Sequence, residues 1–421
     1  MSVLEKTQPM SAGEPAKALW MSTIAFTVCF AVWTIFAIIG IRIKQDLGLN
    51  EAQFGLLVGT PILTGSLIRI LLGVWTSRYG GRLVYTLTML AAALATFLLS
   101  YAQTYTQMLI AGLGVGLAGG SFAVGVAYVS PFFPAEKQGT ALGIFGAGNV
   151  GAAVTKFAAP FVLIAWGWQA VAQIWAVGLA LMAIVFWFTT TDDPAFRLRR
   201  EHGVVSKSLL QEFAPLKNAQ VWRFSLYYFF AFGGFVALSL WLPRYLVGVY
   251  GFNLGVAGII AAAYSIPGSI FRAFGGVLSD RKGARSVMYA MFAVSAVATL
   301  ILSLPAAGTG SALGITPGVF IVVIFVLGFM MSLGKAAVYK HIPAYYPESV
   351  GAVGGIVGMM GGLGGFILPI AFGVLKDMTG LWSSCFVLLF LIVAISLVWM
   401  HLSVKQLDRQ GLSAQPVAAA T

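Results

Sequence analysis

Twelve stretches of this chain are apolar for about the length a helix needs to cross a bilayer, and that spacing constrains the fold more than any other feature. They fall near 18–41, 54–76, 83–101, 106–130, 139–165 and 168–191, and again near 222–247, 254–279, 286–305, 317–339, 350–375 and 380–402. Only 9% of the 421 residues are charged, against about 25% in soluble domains. A mean hydropathy of +0.91 cannot be hidden in one soluble core. A soluble enzyme, a disulfide-stapled secreted domain and a disordered chain are excluded. The polar stretch 192–221, with Asp192, Asp193, Pro194, Arg197, Arg199 and Arg200, divides the runs six and six. The expected order is a tail over 1–17, a six-helix bundle over 18–191, a linker over 192–221, a second bundle over 222–402 and a tail over 403–421. Residues 1–16 are polar and the first run lacks a cleavage site, so no cleavable signal peptide is expected.

Lys and Arg number 25 against 13 Asp and Glu, a net charge of +12. In a soluble chain that surplus would suggest nucleic acid. In a membrane protein it reports topology. With both termini cytoplasmic, 17 basic residues fall in inside loops and tails and 4 in outside loops, the partition the positive-inside rule favours. No nucleic-acid partner is expected. Four of the 25 remain: Arg69, Lys156, Arg272 and Lys335, all within apolar runs that hold no Asp or Glu. Cys29 and Cys385 form no disulfide framework, and His202, His341 and His401 match no metal spacing, so neither metal nor cofactor is expected.

The halves repeat. Arg69, Gly73, Arg78, Gly80 and Arg82 recur 203 positions later as Arg272, Gly276, Arg281, Gly283 and Arg285. A looser echo pairs Phe132-Phe133-Pro134 with Tyr345-Tyr346-Pro347. Repeats of this kind mark secondary transporters, with the substrate site near the midplane between halves. The segment from Gly276 through Asp280 and Arg281 to Arg285 resembles the loop motif of the major facilitator superfamily. Its first copy has Ser77 where the motif usually has aspartate. The resemblance implies an all-α membrane protein of twelve transmembrane helices in two pseudo-symmetric six-helix bundles. The motif itself supplies a tight turn and helix-end charges, and positive-inside anchoring is the plainer account of them.

Arg69 and Arg272 each lie nine residues before a loop arginine, about 13.5 Å deeper along a helix and close to mid-membrane. Each costs about 3 kcal/mol to insert there. With no carboxylate in any span, the missing counter-ion reads as the substrate. Two guanidinium forks suit a small planar oxyanion held by bidentate bonds. Bonds to carbonyls of broken helices are the structural alternative.

Glycines crowd span five, from Gly139 to Gly151, and span eleven, from Gly351 to Gly365, where close helix packing accounts for most of them. Asn149 lies among them with an amide able to donate to an anion. Gly119-Gly120-Ser-Phe122, Phe132-Phe133-Pro134 and Gly146-Ala-Gly148-Asn149-Val-Gly151 resemble the signature of the nitrate/nitrite porter family, and Gly361-Gly362-Leu-Gly364-Gly365-Phe366 with Pro369 resembles its second signature. The likeness spans the whole chain. It implies that Arg69 and Arg272 clamp nitrate, that Asn149, Tyr228 and Gly146 add contacts, and that Phe122 and Phe232 wall the slot against tetrahedral anions.

Lys156 follows Asn149 by seven residues on one helical face, and the run from Lys335 to Pro343 resembles the branch of the family thought to move nitrate with protons. Each lysine either snorkels to an interface or carries a coupling proton. The expected function is nitrate uptake by alternating access, with nitrite as a second substrate, coupled to protons. Nitrate/nitrite exchange is the alternative, favoured by the lack of membrane carboxylates, and a passive anion channel is a further one. No carboxylate pair, metal cluster or nucleophile–base pair suggests an enzyme. A monomer in a bacterial cytoplasmic membrane, with lipid as its surround, is expected.

Overall fold

A computed structural model describes residues 13–202, 218–307, 314–345 and 350–409. Most of both expected tails, linker residues 203–217 with Lys207 and Lys217, and Tyr346-Pro347 of the second echo lie outside the described residues. The described chain is helical, with one isolated bridge between Ala306 and Ile315. We number the spanning segments α1 (Glu14–Leu47), α2 (Glu51–Tyr79), α3 (Gly81–Leu99), α4 (Tyr105–Phe132), α5 (135–166) and α6 (168–189) in the first half. The second half holds α7 (Ala219–Tyr250), α8 (Leu254–Ile270 plus Arg272–Lys282), α9 (Ala284–Leu302), α10 (Pro317–Tyr345), α11 (Val350–Thr379) and α12 (Ser384–Arg409).

Two of these spans hide from a count of straight apolar helices. Thr140–Thr189 runs for 50 residues, about 75 Å at 1.5 Å per residue and more than twice a hydrocarbon core. Gly167, at φ 82 and ψ 169, breaks it into α5 and α6. The two pieces of α8 are each too short to span alone and meet at a 40° bend. Six spans therefore stand in each half.

Local sequence sets the ends. Asn50 and Gln53 form a reciprocal capping box that starts α2, and Thr104 with Gln107 does the same for α4. The repeated loop motif folds into the same turn twice: Gly80 sits at φ 87 and Gly283 at φ 81, a left-handed backbone that favours glycine. Helices run a turn or so past the apolar runs, as α2 does at both ends, because the backbone ladder continues where side chains turn polar.

Each half packs internally, and the halves meet chiefly along α2 with α11 and α5 with α8. We call the side bearing Glu14 and Arg409 the terminal face. At the opposite face the halves are joined by charge. Arg244 donates to Glu51 at 2.5 Å, and the Asp377 carboxylate accepts from the N–H groups of Glu51 and Ala52 at 3.2 and 2.8 Å, capping α2 from α11. Moving inward, Gly59 meets Phe366, Ser66 meets Gly362, and Arg69 bonds the Gly358 carbonyl. Among the described residues no ion pair or hydrogen bond joins α2 to α11 nearer the terminal face.

Candidate functional site

Irregular helix geometry recurs at the centre of the molecule. The α5 backbone tightens into a 3₁₀ segment over Ala147–Val150 that carries Asn149. The α7 backbone widens into a π segment over Phe229–Gly234, directly after Tyr228 and including Phe232. The first piece of α8 ends one residue before Phe271, and Arg272 begins the second. Such departures from the α ladder free backbone groups and re-aim side chains, and they cluster at functional sites. Glycines permit them by letting neighbours approach. A methyl group on Gly361 of α11 would stand 2.2 Å from the Tyr228 ring, and one on Gly358 would stand 2.6 Å from the Tyr339 hydroxyl.

Arg69 and Arg272 converge. The Phe122 ring centroid lies 5.5 Å from the Arg69 guanidinium carbon and 5.7 Å from that of Arg272, so one aromatic ring serves both cations. Arg69 also sits 5.7 Å from the rings of Phe232 and Trp33, and Arg272 sits 5.8 Å from Tyr339. Tyr228 stacks on Phe232 at 5.2 Å and 7°, and meets Tyr339 edge-on at 4.9 Å. The aromatic faces are the negative poles of ring quadrupoles, so they favour the cations they surround.

Both arginines are nearly closed off from solvent, at 7% and 9% exposure. Arg69 donates to the carbonyls of Gly65 at 3.1 Å and Gly358 at 3.3 Å. Arg272 is less satisfied: its Nη1 is buried with no hydrogen-bond partner among the described residues. Gly146 lies beside it, with space for a methyl group only 3.4 Å from that Nη1. Asn149, three residues on and 1% exposed, has both amide atoms buried and unbonded. Buried polar atoms are nearly always paired, so the Arg272 Nη1 and the Asn149 amide leave hydrogen-bonding capacity unused at this centre. No carboxylate stands in the interior of any span; Glu51 and Asp377 are engaged at the opposite face, and Asp280 pairs with Lys340 near the terminal end of α8.

The two membrane lysines do not snorkel. Both are fully buried. Lys156 of α5 donates to Ser239 of α7 and, at 2.5 Å, to Ser265 of α8, so its contacts cross between the halves. Lys335 of α10 donates to the Gly268 carbonyl and lies 3.6 Å from the Phe235 ring centroid.

The loop-motif residues stay away from this centre, on the terminal face. Arg82 donates to the Trp187 carbonyl at 3.0 and 2.5 Å and stacks on its ring, holding the end of α6. Arg78 lies over Tyr79, and Asp280 pairs with Lys340. Arg281 is exposed, while Arg285 lines a small cavity with Arg223 and His341. Gly73 and Gly276 have open space around them. Where the first copy lacks an aspartate, Asp193 of the linker caps instead, accepting from Gly81 N at 3.3 Å and Phe196 N at 2.8 Å.

Sequence reasoning missed Trp33 and Tyr339. Tyr339 lies four residues after Lys335, one helical turn along the same face of α10, and that spacing is a usable signal. Trp33 ends the first piece of α1 and its indole N–H donates to the Pro61 carbonyl of α2 at 2.8 Å, a placement that nothing in the apolar pattern marks.

The profile of the Major Facilitator Superfamily matches residues 21–316 and 251–419 of the chain. A protein of Thermus thermophilus described as a probable nitrate/nitrite antiporter, NarK1, is 44% identical over 429 residues, covering 97% of this chain and 95% of its own. The nitrite extrusion protein of Bacillus subtilis is 31% identical, covering 91% and 94%. Among solved structures, a bacterial homologue of the human lysosomal transporter Spinster, inward-facing and unoccupied, superposes with a TM-score of 0.72 at 18% identity over 95% of this chain and 99% of that one. The chain is a member of the nitrate/nitrite porter family of the major facilitator superfamily, a family of transporters and not of enzymes.

Proposed function

We propose that this protein carries nitrate, and nitrite as a second substrate, across a bacterial cytoplasmic membrane by alternating access. The observation that carries the reading is the pair Arg69 and Arg272 on one aromatic ring with no acid in reach, together with the unbonded Arg272 Nη1 and Asn149 amide. Two buried guanidiniums without a counter-ion are costly. A planar monoanion with three coplanar oxygens accepts a fork from each arginine and cancels one charge. Phe122 and Phe232 flank the arginines as flat walls, which suits a planar anion and crowds a tetrahedral one.

The basic-residue partition supports cytoplasmic termini, and on that reading the terminal face is the inner one and the joined opposite face is the outer one. In this arrangement the outer side is closed by Glu51, Arg244 and Asp377. The loop motifs hold helix ends while the halves rock, and the molecule works as a monomer. Uptake is coupled to protons, with Lys156 as the carrier, because of the two membrane lysines it is the one whose ammonium reaches from the first half into the second, through Ser239 and Ser265. Nitrate/nitrite exchange is the second reading, favoured by the absence of carboxylates from every span interior.

Proteoliposome uptake separates these. Counterflow of labelled nitrate establishes a carrier, and its absence with open conduction would establish a channel. Acceleration by an inward proton gradient supports symport, and acceleration by internal nitrite alone supports exchange. Arg69→Lys and Arg272→Lys should each abolish uptake while leaving a folded, monodisperse protein, since a point charge does not replace a planar fork. Normal uptake by both variants would remove the clamp.

A further inference from the structure

Helix α10 clasps the break in α8 from both sides. On the side of the first piece, Lys335 donates to the Gly268 carbonyl. On the side of the second, Gly275 lies so close to α10 that a methyl group there would stand 2.7 Å from the Leu333 Cα. Between them the helical ladder of α8 stops. The Phe271 N–H still reaches the Pro267 carbonyl at 3.3 Å, with Phe271 at φ −70 and ψ 0. The next carbonyl, Gly268, is the one a continuous α-helix would offer to the N–H of Arg272. It is occupied by the ammonium of Lys335 instead. That ammonium is fully buried, has the Phe235 face 3.6 Å away, and touches no carboxylate among the described residues.

We infer that Lys335 is a positioning residue for the anion clamp: by holding the Gly268 carbonyl it keeps α8 broken immediately before Arg272 and so aims that guanidinium at the ring it shares with Arg69. A lysine suits the task because an ammonium has three donors and no acceptor, so it caps a freed carbonyl without a reciprocal demand. The Phe235 face stabilises the charge without competing for its hydrogen bonds. With the cap gone, Arg272 N–H is free to take Gly268 O, the 40° bend relaxes, and the Arg272 side chain turns about the helix axis away from Phe122. This assignment rests on the reading of Arg69 and Arg272 as the substrate clamp. It gives Lys335 a fixed structural charge and leaves proton traffic to Lys156.

Two measurements test it. The first needs no substrate. Spin labels on cysteines at Ile259 and Val277, both exposed and on separate pieces of α8, report the bend in the purified full chain. Lys335→Met should shift or broaden the distance distribution, and Lys335→Arg, which keeps charge and donors, should restore it. An unchanged distribution in Lys335→Met overturns the inference whether or not nitrate is the substrate. The second is labelled nitrate uptake into proteoliposomes. Lys335→Met should raise the nitrate KM at least tenfold with the maximal rate changed less than threefold, and should weaken the preference for nitrate over chloride; Lys335→Arg should recover both. A loss of proton dependence at unchanged KM would overturn the assignment and make Lys335 the proton carrier. If Lys335→Met does not fold, Lys335→Leu, which likewise keeps neither charge nor donor, is read in the same two assays with the same criteria. Failure of the wild-type protein to take up nitrate would sink the substrate reading and leave the spin-label result standing as the judge of the bend.

Discussion

Glu51→Gln is the substitution whose effect is most directly worked from the geometry. Glu51 stands at the start of α2 on the face opposite the termini, its side chain 10% exposed, and accepts from Arg244 of the other half at 2.5 Å, with Lys44 at 3.5 Å. The pair exists only while the outer face is closed. Its energy therefore belongs to the equilibrium between inward- and outward-facing states, with little share in overall folding. Glutamine keeps the shape and one hydrogen bond to Arg244 but removes the charge. Charge assistance roughly doubles a hydrogen bond's strength, and glutamine removes the carboxylate's share of it while Arg244 stays charged, so the closed state should lose about 1.4 kcal/mol, a tenfold shift in the ratio. Burial keeps salt from screening much of this. The assay is alkylation of a single cysteine at Ile62, which is buried against Gly365 across the interface between Glu51 and Arg69, in a chain with Cys29 and Cys385 replaced. A membrane-impermeant thiol reagent added from outside reaches that cysteine only when the outer face opens. The labelling rate should rise about tenfold in Glu51→Gln. Equal rates in the two proteins, with transport intact, would refute the claim that this pair sets the equilibrium.

Three further outcomes are expected. Phe122→Leu removes the ring shared by both arginines and should let sulfate compete with nitrate uptake, whereas wild-type uptake should ignore sulfate. Lys156→Met should leave nitrate binding within threefold of wild type, measured by calorimetry, while uptake stops responding to an imposed pH gradient. Gly80→Ala forces a side chain onto φ 87 and against Phe196; it should cost about 1–2 kcal/mol and lower the thermal midpoint in detergent by a few degrees, with an unchanged nitrate KM.

Much of the fold was open to reading from the sequence because the bilayer imposes it. Apolar runs and a lone polar linker are enough to count twelve spans, even where the chain passes from α5 to α6 with no polar loop. The convergence of Arg69 and Arg272 was legible for a related reason: arginine without acid is rare enough inside a membrane to single the pair out, and the two do meet on one ring. What hydropathy did not show is the geometry that makes them meet. The 3₁₀ segment at Asn149, the π segment after Tyr228 and the interruption beside Trp33 differ from regular helix in backbone torsion, and their side chains are as apolar as their neighbours. Glycine content hinted at such places without ranking them, since a glycine that lets Tyr228 approach and one facing open space read alike. Snorkelling was a real alternative by length, but Lys156 and Lys335 each found oxygen acceptors at depth, so neither needed to reach the interface.

The uncompensated arginines also make the carrier an electrical device. When access switches from one side to the other, the water-filled approach switches with it, and the membrane field falls across whichever side is shut. The clamp is thereby moved through most of the field without travelling far. Each elementary charge so moved is worth about 2.3 kcal/mol per 100 mV. Under the clamp proposed above, the empty pair Arg69 and Arg272 presents two charges to that field, and with a monoanion between them it presents one. An inside-negative potential therefore draws the empty carrier toward its inward-facing form more strongly than the loaded one. Currents recorded after a step in nitrate should accordingly grow or shrink with voltage according to which of the two forms is returning.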